Sequence, residues 1–216
     1  YLQYVAGYSA LGAGLRGLPF AVTMILVSPR APLIAGRFGA KRAVAGGMAL
    51  MSVGVLLMSL VGRETSYLYV AFCLVLMSAG VGAAMPSLSS GIVQSVPMHK
   101  AGVGAAVNDT TREVGGAIGI AIVGSIVNSI FRSNVGAALA GLPAAQQEFA
   151  KDNIAKALGI SKGLAESGDA EAAGELRRAV QQAFLDGAHV ALKVAAGVVL
   201  LAAVVMYRRL PDSGEH

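Results

Sequence analysis

The chain has 216 residues, of which 55% are hydrophobic and only 13% are charged. This charged share is about half of that usual in soluble domains, and the mean hydropathy of +0.65 agrees with it. The composition therefore excludes an ordinary water-soluble domain and indicates a membrane protein. The single cysteine, Cys73, cannot form an intrachain disulfide, and its apolar surroundings predict a buried side chain.

The net charge of +5 does not indicate a nucleic-acid partner, because the excess base lies among the apolar segments. Residues 1–131 hold eight Lys and Arg against three acids, whereas residues 132–186 hold six against seven. In a membrane protein such a distribution is an orientation signal. His99, His189 and His216 are scattered, so we expect no metal site, no cofactor and no enzymatic centre.

A helix needs about 20 apolar residues to cross a hydrocarbon core of about 30 Å. Five segments meet this requirement, and none alternates in polarity as barrel strands do. We therefore predict an all-α membrane protein with four spans in residues 1–131, a loop and a final span. The predicted spans lie at about residues 11–35, 43–62, 66–86, 101–131 and 187–207.

Prolines predict irregular helices in two of these spans. Pro19, Pro29 and Pro32 predict kinks in the first, and Pro86 predicts that the third ends or bends. Between the last two spans, Pro143–Leu158 has apolar residues at helical intervals, and Asp169 predicts the cap of a helix that continues into the final span. Residues 132–186 are thus expected to form a loop with short helices, either a solvated cap or a substrate-binding element.

Basic residues in short connections predict which side faces the cytoplasm. Six collect on one side, against Arg63 and Arg16 on the other. We expect the richer side, with the tail 208–216, to be cytoplasmic and residues 132–186 to be outside the cell membrane. An external amino end with an odd number of spans predicts that earlier spans precede Tyr1. The six basic residues are Arg37, Lys41, Arg42, Lys100, Arg208 and Arg209.

Four stretches resemble the carboxy-terminal half of a major facilitator superfamily transporter, most of all its fourteen-span drug:proton antiporter branch. GYSALGAGLRGLP (residues 7–19) resembles the external turn into a span. PLIAGRFGAKR (32–42) resembles the family's cytoplasmic loop motif. SAGVGAAMP (78–86) resembles the glycine-rich end of a later span, and NDTTREVGGAIG (108–119) resembles part of the family's penultimate span. The resemblance implies an exporter whose partners are small molecules, protons, the bilayer and the amino-terminal half that this chain lacks.

The loop motif departs from the family pattern at one position. The family usually has an acid before the arginine, and here that residue is Gly36. A gating ion pair at this loop is therefore not expected. Arg37, Gly39, Lys41 and Arg42 still fit a tight basic turn.

Ionisable groups within a span are costly and mark a pathway or a partner. Asp109 and Glu113 are four residues apart on one helix face, and Arg112 can pair with Asp109. We predict that these residues couple protons or line the substrate path, with Glu113 the deeper candidate. The alternative is that Asp109 and Arg112 form an ordinary surface pair at the cytoplasmic interface.

Glycines within the spans predict close helix packing. Gly115 and Gly119 form a small-xxx-small pair beside Gly116, and Gly80 is similarly spaced from Ala84. Direct substrate contact is the alternative for these positions.

Three functions follow from these observations. The favoured one is the carboxy-terminal part of a proton-coupled exporter of amphipathic or cationic small molecules. The first alternative is a major facilitator exporter of one specific lipid or metabolite. The second is a helical membrane scaffold or assembly subunit that transports nothing.

Overall fold

The structure, a computed structural model, describes residues 1–94 and 97–209, and within them the chain is helical without any strand. The all-α prediction is confirmed. The predicted tail lies outside the described residues from residue 210 onward. The helices are α1 (Ala10–Arg16), α2 (Leu18–Val27), α3 (Ala31–Phe38), α4 (Ala40–Met58), α5 (Tyr67–Gln94), α6 (Ala101–Val135), α7 (Ala144–Lys151), α8 (Ile154–Glu166) and α9 (Ala170–Arg209).

Five helical segments of the described chain are long and apolar enough to cross a bilayer, as predicted. They are Ala10–Phe38, Ala40–Met58, Tyr67–Gly91, Ala101–Val135 and Ala170–Arg209.

The chain folds into two compact units. The loop unit comprises Tyr1–Leu15, Ser59–Thr65 and Ile122–Leu192. The span unit comprises Arg16–Met58, Ser66–Ala121 and the described part of Lys193–His216.

The first segment is divided, as its prolines predict. A short 3-10 turn at Ser28–Arg30 separates α2 from α3, and a proline lies in the first two positions of each of these three elements. Proline is favoured there because the first helical N–H groups have no intrahelical acceptor.

Pro86 does not end α5, so the predicted limit of the third span at residue 86 is not a helix end. The helix continues through this proline to Gln94. Proline removes one backbone hydrogen bond but leaves its own φ angle helical, and membrane helices tolerate this loss.

Glycines bring α4 and α5 of the span unit together. A Cβ atom added to Gly47 would lie 2.7 Å from the carbonyl oxygen of Gly80, and one added to Gly54 would lie 2.8 Å from the backbone nitrogen of Met77. The two backbones therefore pack at a distance that only glycine permits. Cys73 is fully buried, as predicted.

The loop unit has its own apolar core, formed by the end of α6, the short helices and the first turns of α9. A 3-10 turn at Ala137–Leu139 contributes Leu139 to it. The buried residues are Phe131, Val135, Leu139, Ala150, Ile154, Ala157, Leu176, Val180 and Ala183.

Two features of the loop unit follow from local capping. Pro143–Leu158 does not form the single helix expected, because the Asn153 side chain accepts a hydrogen bond from the Lys156 amide and starts a new helix. Asp169 caps α9 as predicted, accepting a hydrogen bond of 3.1 Å from the Ala172 amide. From there α9 runs to Arg209 as one helix, so residue 187 is not a helix boundary.

Side chains of α9 also hold the chain's opening segment and a loop within the loop unit. The buried Gln181 amide donates to the carbonyl oxygens of Tyr4 and Val5. His189 contacts the Val61 carbonyl oxygen at 2.8 Å, and the Tyr1 hydroxyl donates to Gly62. Residues 1–9 and 59–65 are thereby ordered by named polar contacts.

Candidate functional site

The candidate site lies on α6, in its span-unit part. Arg112 Nη2 lies 3.7 Å from Asp109 Oδ1, so the predicted ion pair is present. Glu113 lies one residue beyond Arg112 and is exposed. The side chains of Asp109 and Arg112 are themselves 65% and 59% exposed, so nothing in the described chain encloses the pair.

The helix around these residues is uncovered on every face. All side chains from residue 109 to residue 122 are exposed in the described structure. They include large apolar ones such as Val114, Ile118 and Ile120. In a chain of this hydropathy, such a surface requires cover by lipid or by another protein segment.

The buried share differs between the spans, and α6 is among the least covered. In the most apolar 18-residue stretch of each span, about one-third of the residues are buried in α4 and in α5. The corresponding share is 6% in α6 and zero in the first segment. The span unit therefore has a packed centre at α4–α5 and two segments with little cover.

The charges decide what can cover the acidic part of α6. A charged residue at the centre of a bilayer costs about 2.5–3.5 kcal/mol even on the lowest scale. Glu113 and the Asp109–Arg112 pair therefore favour protein or water over acyl chains as their neighbours. An exposed carboxylate at this place can bind a cation or a proton.

Glycines predicted to pack helices fall into two groups. Gly80 lies directly against Gly47 and Met51 of α4. Gly115, Gly116 and Gly119 have no atom of the described chain within 4 Å of an added Cβ. Their role in packing stays a prediction, and it requires a neighbour outside the described residues.

The loop-motif residues surround the junction of α3 and α4. Gly39 joins the helices with a φ of +85°, a backbone conformation that side-chain-bearing residues rarely adopt. The Arg37 guanidinium lies 5.7 Å from the ring centroid of Phe38, and Arg42 is exposed in the first turn of α4. The tight basic turn expected from the sequence is thus formed.

Lys41 has a contact that the sequence did not indicate. Its Nζ lies 5.1 Å from the ring centroid of Tyr207 at the end of α9. The two residues are 166 positions apart, and no local pattern relates them. The only hint of this contact in the sequence is that a basic residue and an aromatic residue each lie near the end of an apolar helix.

Five apolar helices, one of them carrying a carboxylate–guanidinium pair, define a multi-pass α-helical membrane protein. The family described as the Major Facilitator Superfamily matches residues 1–120. The chain therefore belongs to the major facilitator superfamily.

Three curated relatives cover most of this chain. Over 95% of its own length, this chain is 32% identical to the "Multidrug efflux pump LfrA" of Mycolicibacterium smegmatis. Over the whole of this chain, it is 28% identical to the "Tetracenomycin C resistance and export protein" of Streptomyces glaucescens. Over 95% of this chain, it is 29% identical to the "Methyl viologen resistance protein SmvA" of Salmonella typhimurium. The matched regions are 40%, 41% and 41% of these relatives, so the chain spans about two-fifths of their length.

Proposed function

We propose that the whole protein is a proton-coupled exporter of amphipathic or cationic small molecules, and not an enzyme. Family membership supports transport, and the names of three relatives refer to efflux, export or resistance. Transporters of this kind alternate access between two helical repeats, and this chain contributes part of one. The same evidence favours transport over a scaffold subunit.

The observation that carries proton coupling is the carboxylate of Glu113 on the uncovered part of α6. Protonation would remove the negative charge that binds a cationic substrate, so proton and substrate compete for one group. Release of substrate outside and uptake of a proton there would then be the same event at this carboxylate.

Depth along α6 separates Glu113 from Asp109. Residues 114–131 carry no charge, and Arg132 is the first charged residue after Glu113. At about 1.5 Å per residue, Glu113 lies about 27 Å and Asp109 about 33 Å from Phe131. A hydrocarbon core of about 30 Å that begins at Phe131 would place Glu113 just inside its far boundary and Asp109 at or beyond that boundary. We assign coupling to Glu113 and a supporting interfacial pair to Asp109 and Arg112.

The test is export by the whole protein in vesicles with an imposed pH gradient, followed with a cationic dye such as ethidium and with methyl viologen. Glu113→Gln should abolish gradient-driven export while leaving expression and the helical circular-dichroism signal unchanged. Glu64→Gln is the matched control, because Glu64 lies in the short connection before α5 and is exposed. Unchanged export by Glu113→Gln would remove this residue from the mechanism.

Substrate competition in the same vesicles tests the remaining alternative. A broad exporter should show mutual inhibition among chemically unrelated cations. An exporter of one lipid or metabolite should move neither dye, and that result would replace the proposal.

For topology, we propose that the connection of α3 and α4 is cytoplasmic and that residues 132–186 lie outside the cell membrane. The excess of basic residues supports this orientation. Cys73 is buried, so this chain's own cysteine contributes little background to the labelling of introduced cysteines. An impermeant thiol reagent added to intact cells should label Ser167→Cys and should label Gly36→Cys only after permeabilisation. The reverse pattern would contradict the orientation.

A further inference from the structure

A cleft opens on the surface of the loop unit, between the segment 137–142, the end of α8 and the first turns of α9. Its volume is about 510 Å³, which falls within the range of about 300–1,000 Å³ that is usual for small-molecule sites. All of its lining residues belong to the loop unit. The cleft is therefore a property of that unit alone.

The floor of the cleft is apolar and continues into the core of the loop unit. Leu176 lines the cleft and is a buried member of that core. Leu142 and Leu164 line it as well and are partly buried against the same core. The other uncharged lining residues are alanines and a glycine, whose small side chains leave the space open. The floor thus offers apolar contact to the body of an organic molecule.

Hydrogen bonds hold the walls of the cleft in place. The buried Ser161 hydroxyl donates a hydrogen bond of 2.8 Å to the Ala173 carbonyl oxygen and ties α8 to α9. The Gln147 side chain donates one of 2.8 Å to the Leu142 carbonyl oxygen and holds the third wall. A cleft that is already formed needs little ordering when a ligand binds, so less affinity is lost on binding.

Among the described residues that line the cleft, the charged ones are two acids, Asp169 and Glu175. Asp169 accepts the Ala172 amide at one carboxylate oxygen, Oδ1, in capping α9. Glu175 follows about 9 Å further along the helix, at about 1.5 Å per residue. It forms no ion pair with any residue in the described part of the chain. Its carboxylate is therefore available to a ligand.

The neighbouring charges leave the cleft negative. The positive end of the α9 dipole lies at Asp169, but the negative end of the α8 dipole lies beside it, because α8 ends at Glu166. Lys162 pairs with Glu166 at 3.7 Å. Arg178 follows Glu175 by three residues, but its Nε donates to a carbonyl oxygen of its own helix, and neither cation lines the cleft. The cleft is thus complementary to a positively charged ligand.

We propose that this cleft binds organic cations that have an apolar body. The body lies against Leu142, Leu164 and Leu176, and the positive charge lies beside the carboxylate of Glu175. Asp169 adds a second negative charge at the other end of the cleft. Apolar contact and one or two convergent charges are the usual composition of a small-molecule site.

The inference rests on the proposed function for its choice of ligand, since such cations are the molecules proposed for export. The sequence left two roles open for residues 132–186, a solvated cap or a substrate-binding element, and the cleft favours the second. The cleft belongs to a different unit from Glu113. It is therefore a second binding site, separate from the coupling carboxylate.

The test is photolabelling of the whole protein in phosphatidylcholine nanodiscs with azido-ethidium, followed by mass spectrometry of the labelled peptides. Label should appear in the peptides that contain residues 137–142 and 164–179, and excess ethidium should suppress it. Asp169→Asn together with Glu175→Gln should lower this labelling about fivefold at subsaturating dye, the order expected for two exposed ion pairs. Asparagine still caps a helix, so α9 should be retained.

Glu166→Gln together with Glu171→Gln is the matched control. It removes the same charge from the same ends of α8 and α9, but neither residue lines the cleft. Labelling of the cleft peptides should be unchanged. Equal loss in both double variants would mean that the dye follows total charge, and this result would overturn the site. Equal labelling by an uncharged azido analogue of the same ring system would also overturn it.

A steric variant tests the cleft without changing its charge. Ala172→Phe should fill the cleft and reduce labelling, whereas Ala170→Phe, at an exposed position outside the cleft, should not. Both should keep the helical circular-dichroism signal. Undiminished labelling in Ala172→Phe would contradict binding within the cleft.

Gradient-driven export by the same protein in vesicles separates this inference from the proposed function. Export without labelling of the cleft peptides would overturn the cleft and leave the exporter in place. Specific labelling without export would support the cleft and overturn the exporter.

Discussion

Ser52, in the middle of α4, donates a hydrogen bond of 2.8 Å to the carbonyl oxygen of Ala196 in α9, 144 residues later in the chain. Ser52 is 4% exposed and Ala196 is 3% exposed, so the bond lies in a closed helix interface. It is a polar contact between two helices that are both long and apolar enough to cross a bilayer. It also sets the register that places Lys41 beside Tyr207.

Ser52→Ala should weaken the α4–α9 interface only slightly. A hydrogen bond between membrane helices contributes about 0.6 kcal/mol on average, because in the unfolded state the helices find other partners in the membrane. The unfolding free energy of the purified protein in detergent should fall by about that amount. Ser90→Ala is the control, since Ser90 is exposed and its hydroxyl donates to the Ser87 carbonyl oxygen of the same helix. A loss as large as that of a core cavity would show that Ser52 does more than fix register.

Gly47 and its neighbour Gly46 offer a matched pair for the α4–α5 contact. A Cβ at Gly47 would meet the Gly80 carbonyl oxygen at 2.7 Å, whereas one at Gly46 would meet no described atom within 4 Å. Gly47→Ala should therefore destabilise the protein by about 1–3 kcal/mol through overpacking. Gly46→Ala should be neutral or stabilising by up to about 1 kcal/mol, because alanine favours the helix.

Thermal unfolding of both variants in detergent, followed by circular dichroism, checks this prediction. Equal stabilities would contradict the close approach of the two backbones. A loss in Gly46→Ala alone would indicate that the exposed face of α4 contacts a segment outside this chain.

Asp152 in the loop unit provides a pH-dependent interaction. The hydrogen bond from Lys156, with the charge of Arg132 nearby, holds the pKa of the Asp152 carboxyl below its ordinary value. The stabilisation is complete above the unfolded-state pKa of about 3.9 and is lost as the pH falls through the lower folded-state pKa. Neutral and mildly acidic conditions should therefore leave the contact intact.

Removal of the Lys156 charge tests this assignment. In Lys156→Gln, the pKa of Asp152 should rise toward its ordinary value, as measured by a nuclear magnetic resonance titration of the side-chain carboxyl. Lys162→Gln serves as the control, because Lys162 pairs with Glu166 instead. An unchanged Asp152 pKa in Lys156→Gln would assign the shift to Arg132.

Local signals in the sequence predicted much of the fold. Apolar runs of span length gave five membrane segments, and clustered prolines gave the divided first segment. Asp169 predicted the start of α9 because a cap acts within one helical turn. The break between α7 and α8 was not predicted, because the capping side chain of Asn153 was not considered.

The candidate site was predictable only as a set of residue types. Asp109 and Arg112 pair because they are one turn apart, which any helix provides. Whether α6 is covered at these residues depends on segments distant in sequence. The helical periodicity of the α6 sequence does not indicate which distant segments cover these residues.

The sequence by itself determined that this protein lies in a membrane, how many long apolar segments it has and that the first of them is divided at its prolines. These properties depend on hydropathy and on the φ preferences and hydrogen bonds of neighbouring residues. Tertiary structure alone decided which glycines are packed and that α4 and α9 run antiparallel in one register. Gly46 and Gly47 are equivalent in composition and local pattern, and only the approach of the α5 backbone distinguishes them. Long-range packing, rather than local preference, therefore brought the basic ends of two helices together beside Tyr207.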